Sequence, residues 1–376
     1  MTWSLFRYIL RYRKSFIYSG ACIIVSLVLL YLSRNIEDFA QWYATMLFPL
    51  IPNTLGRLSS SFPFSIFEIG IYTIFLFLLF ILLKSLWLVM QNKPELKVYL
   101  STIFRRGICF LSSLVLVFTL TGSINYSRTS FANTSGLAVQ ETTQEELINL
   151  SMLLIEDINE IIPNVGIDYD GFLVLDETDI HKEAIDAMSN LGNKYSALSG
   201  YYPKPKPILL SKAMSYLGIT GIYSPFTLEA NYNKDVASFV IPYTICHELA
   251  HLKGFMREEE AGFIAYLACR ESNSYVLQYS GALNALKFTL NALYANVSLD
   301  EFKTVYNHVP LQVKKEFDYS RFYWQQHSGS ITSIAKAANN KYLIANAQVA
   351  GTKSYGIMVD LLMAEYADVI RDSILL

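Results

Sequence analysis

The sequence predicts an α+β chain: three N-terminal transmembrane helices, then a globular domain that is mostly helical with a small sheet. Three observations carry this. Apolar residues make up 52% of the 376 residues and charged ones 16%, the balance of a membrane protein that also carries a globular part. Three long apolar runs fall in the first third of the chain. Beyond them, helical apolar spacing alternates with short strand-like stretches and then takes over completely. A net charge of −2 gives no basic surface for nucleic acid, and four scattered cysteines are too few for a disulfide framework.

The first run, Ser15–Ser33, carries no charge, and a helix needs about 20 apolar residues to cross a bilayer. The second, Ile66–Met90, holds Glu68 near one end and Lys84, which can snorkel, near the other. The third covers Gly107–Gly122. Residues 1–122 therefore read as a membrane domain in contact with the lipid bilayer. Arg7, Arg11, Arg13 and Lys14 precede the first run, and Lys93, Lys97, Arg105 and Arg106 separate the second from the third. The loop between the first and second has only Arg34 and Arg57. The positive-inside bias puts the N-terminus in the cytoplasm and everything after Gly122 outside it, as in a multi-pass protein of the cell membrane. The first run lacks a small-residue cleavage site and is followed by further spans, so it reads as a retained helix. The loop 36–64 is rich in aromatics (Phe39, Trp42, Tyr43, Phe48, Phe62, Phe64). It suits either a segment lying in the interface or one packed on the spans.

Residues 123–140 are polar and rich in Ser, Thr and Asn, the composition of a linker, which places the globular domain at 141–376. Thr143 with Glu146 three later signals a helix start. "DGFLVL" is strand-like and "HKEAIDAMSNLGNKY" helical. "YYPKPKPILLS" is an extended approach to a short strand at Ile208–Leu210. "SKAMSYLG" is a short helix ending at Gly218, and "TGIYSPFTLEANYN" is strand-like, broken at Pro225. From Ile241 onward the pattern is helical.

The chemistry concentrates in "IPYTICHELAHLKGF", residues 241–255. His247 and His251, four apart, share one helical face and can reach one metal ion. Glu248 projects beside that ion, placed to take a proton from water. Pro242 suits the first turn of this helix, Lys253 its last and Gly254 its C′ position. A catalytic zinc needs a third protein ligand and an open position. "REEEAGFIAYLAC" begins a second helix within four residues of Gly254. Glu258 shares a stripe with Ala261, Gly262 and Ala265, small residues that let two helices approach. Glu260 shares one with Phe263, Ile264 and Leu267, a core face, and Glu259 a more solvated one. Glu258 is the expected third ligand of one Zn²⁺ ion, with Glu260 the alternative. His181 and His308 read as surface residues.

HELAH followed by "EEEA" resembles the gluzincin metallopeptidases. From "KPILLSKAMSYLGITGIYSPFTLEANYNKD" through the HELAH helix to "KSYGIMVDLLMAEY", the chain resembles a family of uncharacterised bacterial membrane proteins with a zincin motif. The resemblance implies a zincin-like domain, a peptide or protein substrate and Glu258 on the metal. Gluzincins usually carry an acidic residue four beyond that glutamate, where this chain has Gly262. They also pair the substrate backbone with the strand before the motif helix, for which Ala230 and Asn231 of "FTLEANYN" are the candidates. A transition-state stabiliser is expected from His327, Tyr323 or Tyr355. The leading functional expectation is a membrane-anchored zinc metallopeptidase acting on envelope or surface proteins. The alternative is a non-catalytic sensor or scaffold similar to the membrane sensors of β-lactams. Lys253, Arg257, Arg270, Glu271 and Lys287 leave no clean span around the motif and argue against an intramembrane protease.

Overall fold

The computed structural model describes residues 2–140, 142–346, 348 and 354–374. Among the described residues, three helices are long and apolar enough to cross a membrane, over Tyr12–Asn35, Ile66–Met90 and Glu95–Ser127. They belong to α1 (Thr2–Asn35), α4 (Ile66–Met90) and α5 (Glu95–Thr121), which agrees with the three runs read from the sequence. The third begins well before Gly107, because Glu95–Arg106 simply continues the helix. α1 and α5 run side by side in the same direction: Arg105 Nη1 donates to Ser15 Oγ at 3.2 Å, and further along both helices Tyr18 Oη meets Ser113 Oγ at 2.8 Å. The end of α1, the start of α4 and the end of α5 all meet the globular domain. Arg34 donates to the Ala345 carbonyl, Tyr223 Oη donates to the Thr121 carbonyl, and Glu229 caps α4.

Between α1 and α4 the chain forms α2 (Phe39–Trp42), two π-helical turns (Tyr43–Leu47 and Pro52–Gly56) and α3 (Arg57–Ser60). One face buries Ala40, Tyr43 and Phe48 against Ile124, Tyr126 and Met256. The other exposes Trp42, Met46, Leu50, Leu55 and Leu58. The aromatic loop is thus packed on one side and bare and apolar on the other.

Residues 123–135 are not an open linker. A 3₁₀ turn at Ser123–Ser127 and α6 (Phe131–Ser135) carry side chains into the core: Ile124, Asn125, Arg128 and Phe131 are each at most 2% exposed. The polar composition misled because serines of this segment make internal hydrogen bonds. Ser123 Oγ donates to Asn346, and the Ser130 hydroxyl caps α6.

The domain continues with α7 (Gln144–Ile161), which starts on the expected Thr143–Glu146 capping box, and α8 (Glu177–Lys194). Then come β1 (Lys206–Pro207), α9 (Ser211–Leu217), β2 (Gly221–Ser224) and β3 (Glu229–Tyr232). The remaining helices are α10 (Val240–His251), α11 (Glu258–Arg270), α12 (Tyr275–Asn296), α13 (Leu299–His308), α14 (Leu311–His327), α15 (Ser330–Ala345) and α16 (Ser354–Ile374). The result is mostly helical with a small sheet of order β1-β3-β2. β3 pairs parallel with β1 (Lys206 opposite Asn231) and antiparallel with β2 (Tyr223 opposite Ala230). "DGFLVL" forms only an isolated bridge between Ile167 and Leu173. The strand expected at Ile208–Leu210 lies instead at Lys206–Pro207, because the Leu209 and Leu210 N–H groups turn away to Glu68.

α10 and α11 form the centre of the core, with Leu249, Phe255, Phe263 and Ile264 fully enclosed. His308 is exposed, but His181 is not a surface residue. It is 9% exposed, and its ring meets the Tyr232 hydroxyl at 2.8 Å. Burial, with Lys204 nearby, holds its pKa down at about 4, so it stays neutral.

A buried ion pair lies within the sheet, and its Glu229 carboxylate also accepts from the first N–H groups of α4. Lys206 Nζ stands 2.5 Å from Glu229 Oε1, and both side chains are at most 2% exposed. Glu229→Ala would strand the Lys206 ammonium and uncap α4, at a cost of about 3–5 kcal/mol. Thermal unfolding of the detergent-solubilised protein should show a clearly lowered midpoint; an unchanged one contradicts this role.

A candidate metal centre

α10 is helical from Val240 because Pro242 falls in its first turn, where no N–H is needed, and apolar residues fill the faces turned to α11 and α12. The remaining stripe of Val240, Tyr243, Thr244, His247, Glu248 and His251 lines a cleft of about 750 Å³. At its floor, His247 Nε2 lies 3.1 Å from His251 Nε2. Glu258 Oε2 lies 3.1 Å from His247 Nε2 and 3.9 Å from His251 Nε2. Ligand atoms about 2.0–2.2 Å from a tetrahedrally held ion stand about 3.3–3.6 Å apart, and these spacings bracket that range, so they fit one small cation. The donor chemistry fits as well. His251 Nδ1–H donates to the Phe255 carbonyl at 2.7 Å, which leaves Nε2 with its lone pair on the cleft side.

Glu258 arrives through a tight reversal. Gly254 has φ +81°, a left-handed conformation that ends α10, and α11 starts at Glu258. The former linker clamps this turn. Arg128 Nη1 donates to the Lys253 carbonyl at 2.8 Å, with its guanidinium 3.8 Å from the Phe255 ring centre. Arg257 donates to the Arg128 and Tyr126 carbonyls. Glu260, the alternative ligand, points away from the imidazoles. Its Oε1 accepts from Phe131 N–H at 2.9 Å and from Arg257 Nη1 at 2.8 Å. Glu259 accepts from Gln348. Of the three glutamates, only Glu258 meets the histidines.

Glu248 is 5% exposed and sits beside β2. A methyl group at Gly221 would come within 2.4 Å of Glu248 Oε1, so only glycine lets the strand approach this closely. Burial pushes the Glu248 carboxyl up to about 8; His247 and a hydrogen bond from Tyr223 N–H oppose this, and Glu258 adds to it. Burial also holds His251 down at about 4 with help from His247, against Glu258. For His247 burial lowers the pKa, but Glu258 and Glu248 outweigh it and the net shift is upward.

Several expected residues stand elsewhere. β3 is the central strand, so Ala230 and Asn231, at most 1% exposed, offer no free edge; the edge strand at the cleft is β2. Tyr323 bonds the Ser215 hydroxyl, and His327 Nδ1–H donates to the Tyr323 carbonyl at 2.8 Å; neither lines the cleft. The side chain of Tyr355 lies outside the described residues. The tyrosines that do line the cleft include Tyr126 and Tyr342, whose hydroxyls are 3.3 Å apart. Burial raises the Tyr342 pKa; the Tyr126 hydrogen bond opposes this and the Glu258 carboxylate adds to it. Lys287 on α12 also lines the wall, its pKa lowered by burial. No local signal singles out Tyr342 or Lys287, since both reach the cleft from helices far along the chain. At Gly262, where gluzincins carry an acid, the Tyr243 hydroxyl donates to the backbone carbonyl at 3.0 Å and fills the space.

The architecture defines a class: a mostly helical domain on three apolar helices, with a His-His-Glu triad and an adjacent glutamate at the floor of a cleft. The chain belongs to the DUF3810 family, described as a protein of unknown function, whose model matches residues 43–363. No curated protein and no solved structure matches it.

A ligand that binds only the folded state stabilises it, by about 2.7 kcal/mol at a hundredfold excess over Kd. Zinc added to chelator-treated protein should therefore raise its unfolding midpoint, and His251→Ala should abolish the rise. An equal rise in the variant would remove His251 from the ligand set.

Proposed function

We propose that this protein is a membrane-anchored zinc metallopeptidase with a zincin-like domain, hydrolysing peptide bonds of envelope or surface proteins outside the cytoplasm. The observation that carries the reading is the convergence of His247, His251 and Glu258 with Glu248 beside them and a free strand edge alongside. Two imidazoles and one carboxylate form a donor set suited to zinc that keeps a position open. A zinc ion held there supplies Lewis acidity, polarising a carbonyl and making water nucleophilic near neutral pH.

The chain's own groups complete the reaction. A cation in the triad would favour the ionised form of Glu248 against the burial that raises its pKa. As a carboxylate, Glu248 takes the proton from the attacking water and returns it to the leaving amine. β2, the edge strand, pairs with an extended substrate backbone. Tyr342 donates its hydroxyl to the developing oxyanion. The histidine orientation that an acidic residue usually supplies comes, for His251, from the Phe255 carbonyl. The second reading, a sensor or scaffold that binds without cutting, is favoured by Gly262, where no carboxylate supports the ligands.

Glu248→Gln should keep zinc bound while lowering peptide hydrolysis by about 10²-fold or more. Zinc content by elemental analysis and turnover of a general peptide substrate measure the two separately. Full turnover in this variant would move the protein to the sensor reading. Tyr342→Phe should lower kcat on the order of 10²-fold with little change in KM; a rise in KM alone would assign Tyr342 to substrate binding only.

A further inference from the structure

Two residues of the cleft lining belong to apolar helices: Phe67 in the first turn of α4 and Phe118 in the last turn of α5. The metal triad and two membrane-helix ends therefore share one cavity. Reciprocal carboxylates fix this arrangement. Glu229 of β3 accepts from the Ile66 and Phe67 N–H groups at 3.0 and 2.8 Å. In return, Glu68 of α4 accepts from the Leu209 and Leu210 N–H groups, each at 2.9 Å. The domain cannot lift away from the start of α4 without breaking four charge-assisted hydrogen bonds.

Around this junction the surface is apolar. Phe62 and Phe64 immediately precede α4, Leu209 and Leu210 flank Glu68, and Phe226 forms part of the cleft lining; all are at least 40% exposed. Leu209 reaches 65%. Aromatic and aliphatic side chains bared at the level of a membrane-helix end are the composition of a surface that sits at the lipid interface. Farther along α4, Phe75 and Leu76 are over 60% exposed.

We propose that the cleft takes its substrate from the bilayer surface: a polypeptide stretch that directly adjoins a membrane anchor. This rests on the reading of the site as a peptidase and narrows its substrate class. At roughly 3.3 Å per extended residue, ten residues span about 33 Å at most, so a cleft that opens beside the membrane-helix ends meets first the bonds nearest an anchor. Bonds farther out would have to fold back over the apolar rim.

The test uses the full-length chain in lipid vesicles with a degenerate peptide of about 40 residues, tethered at one end by a single apolar transmembrane helix. Mass spectrometry maps each cut by its distance from the anchor, and such counting does not depend on surface concentration. Cuts should fall in the ten anchor-proximal positions about tenfold more often than in the ten distal ones. An even spread, or a distal preference, overturns the proposal while leaving peptide hydrolysis standing. If neither this peptide nor an untethered copy is cut, hydrolysis itself fails. A photo-crosslinker at position 226 in the Glu248→Gln protein then reads substrate delivery without turnover. Crosslinks to anchor-proximal residues support delivery from the bilayer; distal crosslinks or none overturn it.

Discussion

Glu258 reaches the two imidazoles because the chain reverses at Gly254 and the reversal is held from outside by Arg128 and Glu260. Burying a guanidinium and a carboxylate is costly unless each finds partners. Burial lowers the Arg128 pKa to about 10, but its guanidinium donates to the Lys253 carbonyl and lies on the Phe255 ring. Glu260 satisfies Phe131 N–H and Arg257 at once. The same residues thus fix the path of 123–131 and the angle between α10 and α11. Loosening that clasp would let the carboxylate drift from the histidines with no change in any ligand.

The second constraint joins the domain to α4. Glu229 and Glu68 exchange hydrogen bonds between the sheet and the start of an apolar helix, with Lys206 balancing the buried charge. The start of α4 and the end of α5 are therefore structural parts of the cleft wall. The family model matches residues 43–363, which include both sides of this junction.

Much of the fold was legible because it depends on neighbours along the chain. The three apolar helices follow from local hydropathy, and the Thr143–Glu146 capping box from a four-residue pattern. The HELAH helix and its Gly254 stop follow from helical spacing and a glycine. The stripe of small residues beside Glu258 also marks which face of α11 approaches α10. Composition failed at residues 123–135, because Ser and Asn in a loop look the same whether they meet water or the core.

The sequence by itself determined which side chains share a helical face, and so that His247, Glu248 and His251 stand together. Only the tertiary structure decided that β2 rather than β3 forms the edge, that Tyr342 rather than His327 lines the cleft, and that His181 is buried against Tyr232. Helical phase repeats every few residues and is set by covalent geometry. Strand order and the meeting of distant helices are set by how whole elements pack, which no local spacing records.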